Sequence, residues 1–320
     1  MLARQTDRKL VPFWNKKRKR LLFYTCMMAL PVTQVLIFYF GVNLNSLLLA
    51  FQKYDVNTGT MQFAFLENFK RVFTGDNGNA TSEILYGIRN SLLAYFIGLA
   101  ASLGLGVPFA NAIYKRVPGS GLFKVILYLP QVLSLVVMSI IYMNFTEEAV
   151  PQLLNDLFHI KIASGPLSAR QPSAIFAGIM FFNVFMGFGT NMLMYTGAMS
   201  SVSPSTKEAA KVDGANAWQE FIHVTVPSVW PTMCTLITVG IAGIFVNQLN
   251  LFTFYNTGAT VQVSSLGYYI YKATYRANQA ANPNLQFPYL SAFGIIMTLF
   301  AAPLTLGMRK LLEKVGPRPE

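Results

Sequence analysis

Long apolar runs, separated by short polar segments, dominate the order of residues along this chain. Five of the runs are long enough to cross a bilayer core, which takes about 20 residues of helix, and a sixth lies just ahead of the C-terminus. Lipid offers no partner for an unpaired backbone group, and the runs are too long for barrel strands, so regular helices are predicted. The runs occupy residues 21–49, 84–113, 124–145, 173–200, 228–255 and 288–308.

The composition agrees with a membrane protein. Hydrophobic residues make up 53% of the 320 residues and charged residues 12%, with a mean hydropathy of +0.42. A soluble domain has about 25% charged residues. We therefore predict an all-α, polytopic membrane helix bundle with six transmembrane helices.

The charges predict the orientation of the chain. With the N-terminus inside, the cytoplasmic segments hold 17 of the 25 Lys and Arg residues, so the positive-inside rule places both termini in the cytoplasm. The chain then divides into a basic N-terminal segment (1–20), a transmembrane domain (21–310) and a cytoplasmic tail (311–320). The run "KKRKR" beside the first helix is typical of a topology anchor or an anionic-lipid contact, and we expect no nucleic-acid partner.

Residues 203–227, "SPSTKEAAKVDGANAWQEFIHVTVP", form a polar insert between the fourth and fifth apolar runs. Ser203 and Pro204 read as an N-cap and a first helical residue, while Ser205 and Glu208 could instead form a capping box. The helix is expected to break near Asp213 and Gly214, where glycine can adopt the left-handed conformation. A second short helix should follow and stop at Pro227.

Two polar stripes lie within apolar runs. One face of the fourth helix carries Asn183, Gly187, Thr190 and Asn191. A regular fifth helix would likewise align Gly240, Gly243, Asn247, Asn250 and Phe254 on one side. Buried amides need hydrogen-bond partners, so these side chains either bond neighbouring helices or line a path for a hydroxyl-rich solute. The absence of charge in these helices argues against an ion, a proton or a strongly charged solute.

Other features indicate packing and no chemistry of the chain's own. Ala94, Gly98, Ser102 and Gly106 recur every four residues and predict a face where another helix approaches closely. The segment "FAFLENFKRVFTG" predicts a short helix at the outer interface. Two cysteines and two histidines, spread over helices and opposite loops, predict no metal site, and no catalytic or nucleotide-binding constellation is present.

The polar insert resembles the EAA loop of the permease subunits of binding-protein-dependent ABC importers. The matching positions are Glu208, Ala209, Ala210, Gly214, Val224 and Pro227. The segments "LENFKRVF", "GSGLFKVILYLPQVLS", "SLGYYIYKATY" and "YLSAFGIIM" resemble the carbohydrate-uptake branch of that family in the same order. The family's "TGGGP" after the fifth helix is replaced here by "NTGAT", residues 256–260.

This resemblance implies a type I importer fold in the bacterial inner membrane. It implies a second permease subunit (a heterodimer is expected), a pair of ATPase subunits that bind ATP and Mg, and an extracytoplasmic solute-binding protein, so this chain needs no cofactor and is not an enzyme. It assigns ATPase coupling to Glu208, Ala209, Ala210, Asp213, Gly214 and Pro227. It places the solute pathway between the helices that flank the insert, at Asn183, Gly187, Thr190 and Asn247.

The expected function is therefore import of a carbohydrate, such as an oligosaccharide or a glycoside, by alternating access. An importer for another solute, such as a polyamine or phosphate, would differ only in the pocket. A secondary transporter or channel would need no ATPase, but the helices carry no buried carboxylates to couple ions, and no inverted repeat is visible. A membrane enzyme lacks a catalytic constellation.

Overall fold

Long helices build the structure, a computed structural model that describes residues 16–74, 79–160 and 165–317. The expected features of residues 1–15 and 318–320 lie outside these ranges. Within them, five helices are long and apolar enough to cross a membrane, and a bent pair of helices that meets the same criteria together is counted as a sixth span. We number the spans in chain order: span 1 (Lys19–Leu49), span 2 (Ser82–Tyr114), span 3 (Ser120–Val132 with Leu135–Phe158), span 4 (Pro172–Ser200), span 5 (Ala217–Gly243) and span 6 (Phe287–Val315).

The first and last helices extend beyond the apolar runs that predicted them. The first helix begins at Lys16, so the end of the basic N-terminal segment is already helical. Span 6 continues to Val315, seven residues past the end of the predicted apolar run at 308. Helices of this length extend beyond the hydrocarbon core, where Lys and Arg side chains reach the interface.

Span 3 is not the single regular helix that the apolar run predicted. Its two halves meet at an angle of 107°. Leu133 and Ser134 between them have extended backbone, with ψ of 153° and 134°. Pro130 lies inside the last turn of the first half, where it removes a helical N–H donor and favours a break.

Span 5 also departs from the prediction, because its helix ends at Gly243 and not near residue 255. The chain then turns, with Leu249 and Asn250 both at positive φ (52° and 57°), before a short helix at Leu251–Tyr255. Asn247 and Asn250 therefore lie in a turn, and the predicted stripe along a regular fifth helix is wrong. We call residues 244–250 the reentrant turn.

The polar insert begins with a helix at Pro204–Val212, as predicted, and Gly214 has a φ of +81°. Ser203 makes no cap bond to the backbone and contacts the Ser205 hydroxyl instead. The capping box belongs to Asn216 and Gln219, at the start of span 5.

Pro227 does not end a helix, contrary to the prediction, because span 5 runs through it without interruption. A π-helical segment, Phe221–Thr225, ends two residues before it. This wider turn displaces the carbonyl that the proline ring would otherwise strike.

An outer layer of short elements covers one end of the bundle. Strands β1 (Gln52–Asp55) and β2 (Thr60–Phe63) form an antiparallel hairpin, followed by the predicted short helix at Glu67–Thr74. The Asn68 side chain ties the two together by donating to the carbonyls of Ala50 and Gln52. The remaining elements of this layer are 3₁₀ turns at Val261–Val263 and Pro283–Leu285 and a helix at Leu266–Gln279.

Spans 2, 4 and 5 pack together toward the cytoplasmic end. One apolar cluster there contains buried side chains from all three spans: Val107 and Ala110 of span 2, Met192 and Tyr195 of span 4, and Val229 of span 5. Farther from the cytoplasmic end, the three helices separate and leave a cavity between them.

Candidate functional site

A cavity of about 500 Å³ lies between spans 2, 4 and 5. Its lining includes residues of all three spans and four residues of the reentrant turn. The residues that line it are Ser91, Ala94, Tyr95, Gly98, Leu99, Ala101, Ser102, Met180, Asn183, Val184, Gly187, Phe188, Asn191, Tyr195, Leu236, Val239, Gly240, Gly243, Ile244, Val246, Asn247 and Leu249.

The polar groups in this wall are amides and hydroxyls. In span 2 the Ser102 hydroxyl lies 3.0 Å from the Tyr195 hydroxyl of span 4, and the Tyr95 hydroxyl donates to the Ile237 carbonyl at 3.3 Å. Within the described residues no charged side chain lines the cavity. Such a wall can form hydrogen bonds with a neutral polar molecule and offer ring faces to its apolar parts.

Asn183 joins span 4 to the reentrant turn. Its Nδ2 donates to the Leu249 carbonyl at 2.9 Å and to the Ile179 carbonyl at 2.8 Å, and its Oδ1 accepts from Asn250 Nδ2 at 2.9 Å. Both hydrogens of the amide are therefore used. The first interpretation of the polar stripe, bonding between neighbouring elements, holds for the Asn183 side chain.

Asn247 shapes the reentrant turn from within. Its Oδ1 accepts from the Leu249 backbone N–H at 2.9 Å, and its backbone carbonyl accepts from the Ser265 hydroxyl at 2.9 Å. Gly267 allows this approach, because a Cβ there would lie 2.5 Å from the Val246 carbonyl. These bonds compensate for the two residues at positive φ in the turn.

The outer rim next to the reentrant turn is held by two tyrosines. The Tyr255 hydroxyl donates to the Leu167 carbonyl at 2.8 Å, and burial, with the nearby Glu147 carboxylate, raises the pKa of Tyr255 to about 12. The Tyr268 hydroxyl donates to the Asn256 carbonyl at 2.9 Å, and burial raises its pKa as well. Both hydroxyls are protonated donors at neutral pH, and the raised pKa keeps them so to a higher pH than usual.

Three of the four residues expected in the solute pathway, Asn183, Gly187 and Asn247, line the cavity, whereas Thr190 is exposed and does not. Successive helical residues are about 100° apart, so Thr190 and Asn191 point in clearly different directions. The face of span 4 that borders the cavity is centred between Gly187 and Asn191.

The contribution of span 2 was missed by sequence reasoning. Ala94, Gly98 and Ser102, predicted to pack against another helix, also line the cavity, and a Cβ at Gly98 would meet nothing within 4 Å. The predicted close packing is observed at Gly106, where a Cβ would lie 3.5 Å from the Tyr195 ring of span 4. Small residues every four positions indicate a close approach or an open space equally well. Tyr95 lies on the same wall, and an aromatic residue with a hydroxyl beside this stripe was the available signal.

The polar insert presents a second surface at the cytoplasmic end. Of the residues expected there, Glu208, Ala209, Asp213 and Gly214 are exposed, and Ala210 and Pro227 are half-buried. Two apolar side chains are also exposed, Val212 at 87% and Trp218 at 66%. Large exposed apolar groups beside charged ones are typical of a surface that docks another protein.

Six spans, an uncharged cavity between helices and an exposed polar insert define a multi-pass membrane permease. The chain belongs to the family of binding-protein-dependent transport system inner membrane components, whose pattern matches residues 102–318. This confirms the resemblance drawn from the polar insert, the all-α type of fold and the location in the inner membrane.

Known relatives agree with this family. The probable ABC transporter permease protein MG188 homolog of Mycoplasma pneumoniae is 29% identical over 58% of this chain, and this chain spans 54% of that relative's length. The multiple sugar-binding transport system permease protein MsmF of Streptococcus mutans is 21% identical over 91% of this chain and 95% of its own length.

Two solved structures share the fold. A bacterial ABC transporter involved in the import of the acidic polysaccharide alginate has a chain that matches 94% of this one with a TM-score of 0.70 and 20% identity, over 98% of its own length. A bacterial alginate ABC transporter in complex with an alginate pentasaccharide-bound periplasmic protein has one that matches 92% with a TM-score of 0.72 and 19% identity, over 94% of its own length.

Proposed function

We propose that the chain is one permease subunit of an ATP-driven importer that moves an uncharged carbohydrate, such as an oligosaccharide or a glycoside, into the cytoplasm. The observation that carries this proposal is the cavity wall of amides, hydroxyls and aromatic rings. Its volume of about 500 Å³ falls within the range of about 300–1,000 Å³ that is usual for small-molecule sites.

The chemistry of the wall favours a sugar over the alternatives. A sugar presents hydroxyl groups to amides and apolar C–H faces to the rings of Tyr95 and Phe188. A polyamine would need carboxylates in the wall and phosphate would need basic groups, and the described cavity residues include neither. MsmF is named for sugar transport, which supports the same solute class for this chain.

The polar insert is proposed to dock in a groove of an ATPase subunit. Glu208 and Asp213 offer charge to the partner, and Ala209 and Ala210 are small enough for close approach. Gly214 supplies the bend after the helix, and Pro227 lies where the insert passes into the membrane part of span 5. In this proposal ATP and Mg bind to the ATPase pair, whose movement tips the cavity from outside to inside.

The complete importer would contain a second permease subunit, expected to be a related chain, and a solute-binding protein on the outer side. The alginate transporter solved with a periplasmic protein supports the latter partner. The hairpin and short helices of the outer layer are the described elements on that side.

Uptake measurements with a substitution in the cavity test the proposal. Gly187 lines the cavity and a Cβ there would meet nothing within 4 Å, so Gly187→Leu directs its side chain into the cavity. Gly197→Leu is the matched control, since Gly197 lies on the same helix with equally open space but outside the cavity.

Cells that carry the intact transporter would be supplied with radiolabelled lactose, raffinose, maltotriose, spermidine or phosphate. We expect uptake of at least one neutral sugar, its loss in Gly187→Leu and its retention in Gly197→Leu. Uptake of spermidine or phosphate alone would overturn the carbohydrate assignment. Equal sugar uptake by both variants would overturn the cavity assignment.

A further inference from the structure

Two charged contacts tie the polar insert to the cytoplasmic end of span 2. Lys115 Nζ donates to Glu220 Oε2 at 3.1 Å, and the Glu220 side chain is only 8% exposed. Lys207 Nζ lies 3.6 Å from the centre of the Tyr114 ring. That ammonium group is buried, and no hydrogen-bond acceptor reaches it within the described part of the chain.

The positions of these residues connect two functional surfaces. Tyr114 is the last residue of span 2 and Lys115 is its C-cap, while span 2 lines the cavity through residues such as Tyr95 and Ser102. Lys207 directly precedes Glu208 in the insert. The backbone joins the insert to spans 4 and 5, so its connection to span 2 depends on side-chain contacts, and these charged contacts join the apolar packing of Phe221 there.

The burial of the charges makes the contacts specific. A carboxylate as buried as Glu220 needs its counter-ion, because an unpaired buried charge is strongly unfavourable. An ammonium over an aromatic ring is likewise held more tightly when it is desolvated. Apolar packing at the same junction is non-directional, whereas a charged hydrogen bond fixes the orientation of its partners.

We propose that Tyr114, Lys115, Lys207 and Glu220 are positioning residues that clamp the polar insert to span 2. Through this clamp, movement that an ATPase subunit imposes on the insert reaches the span 2 wall of the cavity as well as spans 4 and 5. The inference rests on the proposed coupling function of the insert, but the clamp itself can be measured without an ATPase.

The test compares Glu220→Gln and Lys115→Met with the charge-swapped double variant Lys115→Glu/Glu220→Lys. The control is Glu313→Gln, which breaks the exposed Arg309–Glu313 pair of span 6, whose side chains are 65% and 56% exposed.

In the full chain, with Cys26 and Cys234 replaced by alanine, spin labels at Val117→Cys and Val212→Cys report the distance between the end of span 2 and the insert. The second measurement is the amount of ATPase subunit retained when the transporter is purified from its own membranes, with its ATP hydrolysis.

We expect each single variant to widen the distance distribution and to reduce ATPase retention at least about fivefold, the lower end of usual coupling between sites. The swapped variant should restore both and Glu313→Gln should change neither. A narrow distribution in Glu220→Gln, or a swapped variant that accumulates normally but stays broad, would overturn the clamp. If Glu220→Gln does not accumulate, Lys115→Met and the swapped variant decide by the same criteria.

Failure of the coupling proposal gives a different result. In that case the wild-type chain would retain no ATPase, while the distance measurement would still report whether the clamp exists.

Discussion

Replacement of Asn183 by alanine should loosen the reentrant turn. The substitution removes the donor to the Leu249 carbonyl and the acceptor for the Asn250 amide, at 2.9 Å each. The third bond, to the Ile179 carbonyl, lies within the helix, where that oxygen keeps its backbone partner. The loss therefore consists of two hydrogen bonds between elements.

The expected cost follows from these two bonds. Hydrogen bonds contribute about 1 kcal/mol each in proteins generally and about 0.6 kcal/mol on average between membrane helices. Asn183→Ala should therefore lower the free energy of unfolding by about 1–2 kcal/mol. Combined with Asn250→Ala in a double-mutant cycle, it should give a coupling energy of about 0.6–1 kcal/mol.

Unfolding in detergent measures this cost, and amide hydrogen exchange of residues 244–250 locates it. Asn191→Ala is the matched control, because Asn191 lines the same cavity two turns along span 4 but makes no side-chain hydrogen bond within the described residues. It should leave the stability unchanged and weaken sugar uptake. The reasoning is refuted if Asn183→Ala unfolds like the wild type and its turn exchanges no faster.

Three further outcomes are expected. Gly214→Ala, at a φ of +81° with nothing within 4 Å of the added Cβ, should strain the bend by about 1 kcal/mol and raise ATP hydrolysis relative to uptake, whereas Gly197→Ala should not. Asn216→Ala removes the capping box of span 5 and should lower the free energy of unfolding by about 1 kcal/mol, with Asn284→Ala in an exposed outer turn as its control. The pKa of Tyr255 is about 12 in the folded protein, against an ordinary 10.0. The protonated hydroxyl therefore stabilises the fold fully below pH 10, and this stabilisation is lost as the pH rises to 12. Tyr255→Phe should make the melting temperature fall less steeply between pH 10 and pH 12.

The sequence predicted the helices well and their interruptions poorly. Apolar length located the six spans, since the bilayer requires a long apolar segment of any helix that crosses it. The reentrant turn escaped because residues 244–246, Ile-Phe-Val, continue the apolar run beyond Gly243. The turn is held by Asn183, 66 positions before Leu249, and hydropathy does not register a contact across that distance.

The candidate site was predicted only in part, because its direction also depends on contacts between distant parts of the chain. Helical periodicity correctly placed Asn183 and Gly187 on one face, but it could not say that the centre of the cavity lies toward Asn191 and away from Thr190. That direction depends on where spans 2 and 5 stand around span 4. Their placement is a result of packing, which a periodic stripe on one helix does not contain.

Two glycines of span 4 show that a small residue can mark either close helix packing or an open cavity. Substitutions at both positions can tell these two roles apart. A Cβ at Gly189 would strike the Leu127 backbone carbonyl of span 3 and lie 3.0 Å from Tyr128 Cα, whereas a Cβ at Gly187 would enter the open cavity. Gly189→Ala must therefore push spans 3 and 4 apart, and we expect it to lower the free energy of unfolding by about 1–3 kcal/mol, the usual cost of overpacking. Gly187→Ala should leave the stability of the fold intact and only narrow the path of the solute. Unfolding and uptake measured on both variants would separate close packing from cavity lining at positions two residues apart, and equal stability of the two would contradict the helix arrangement described above.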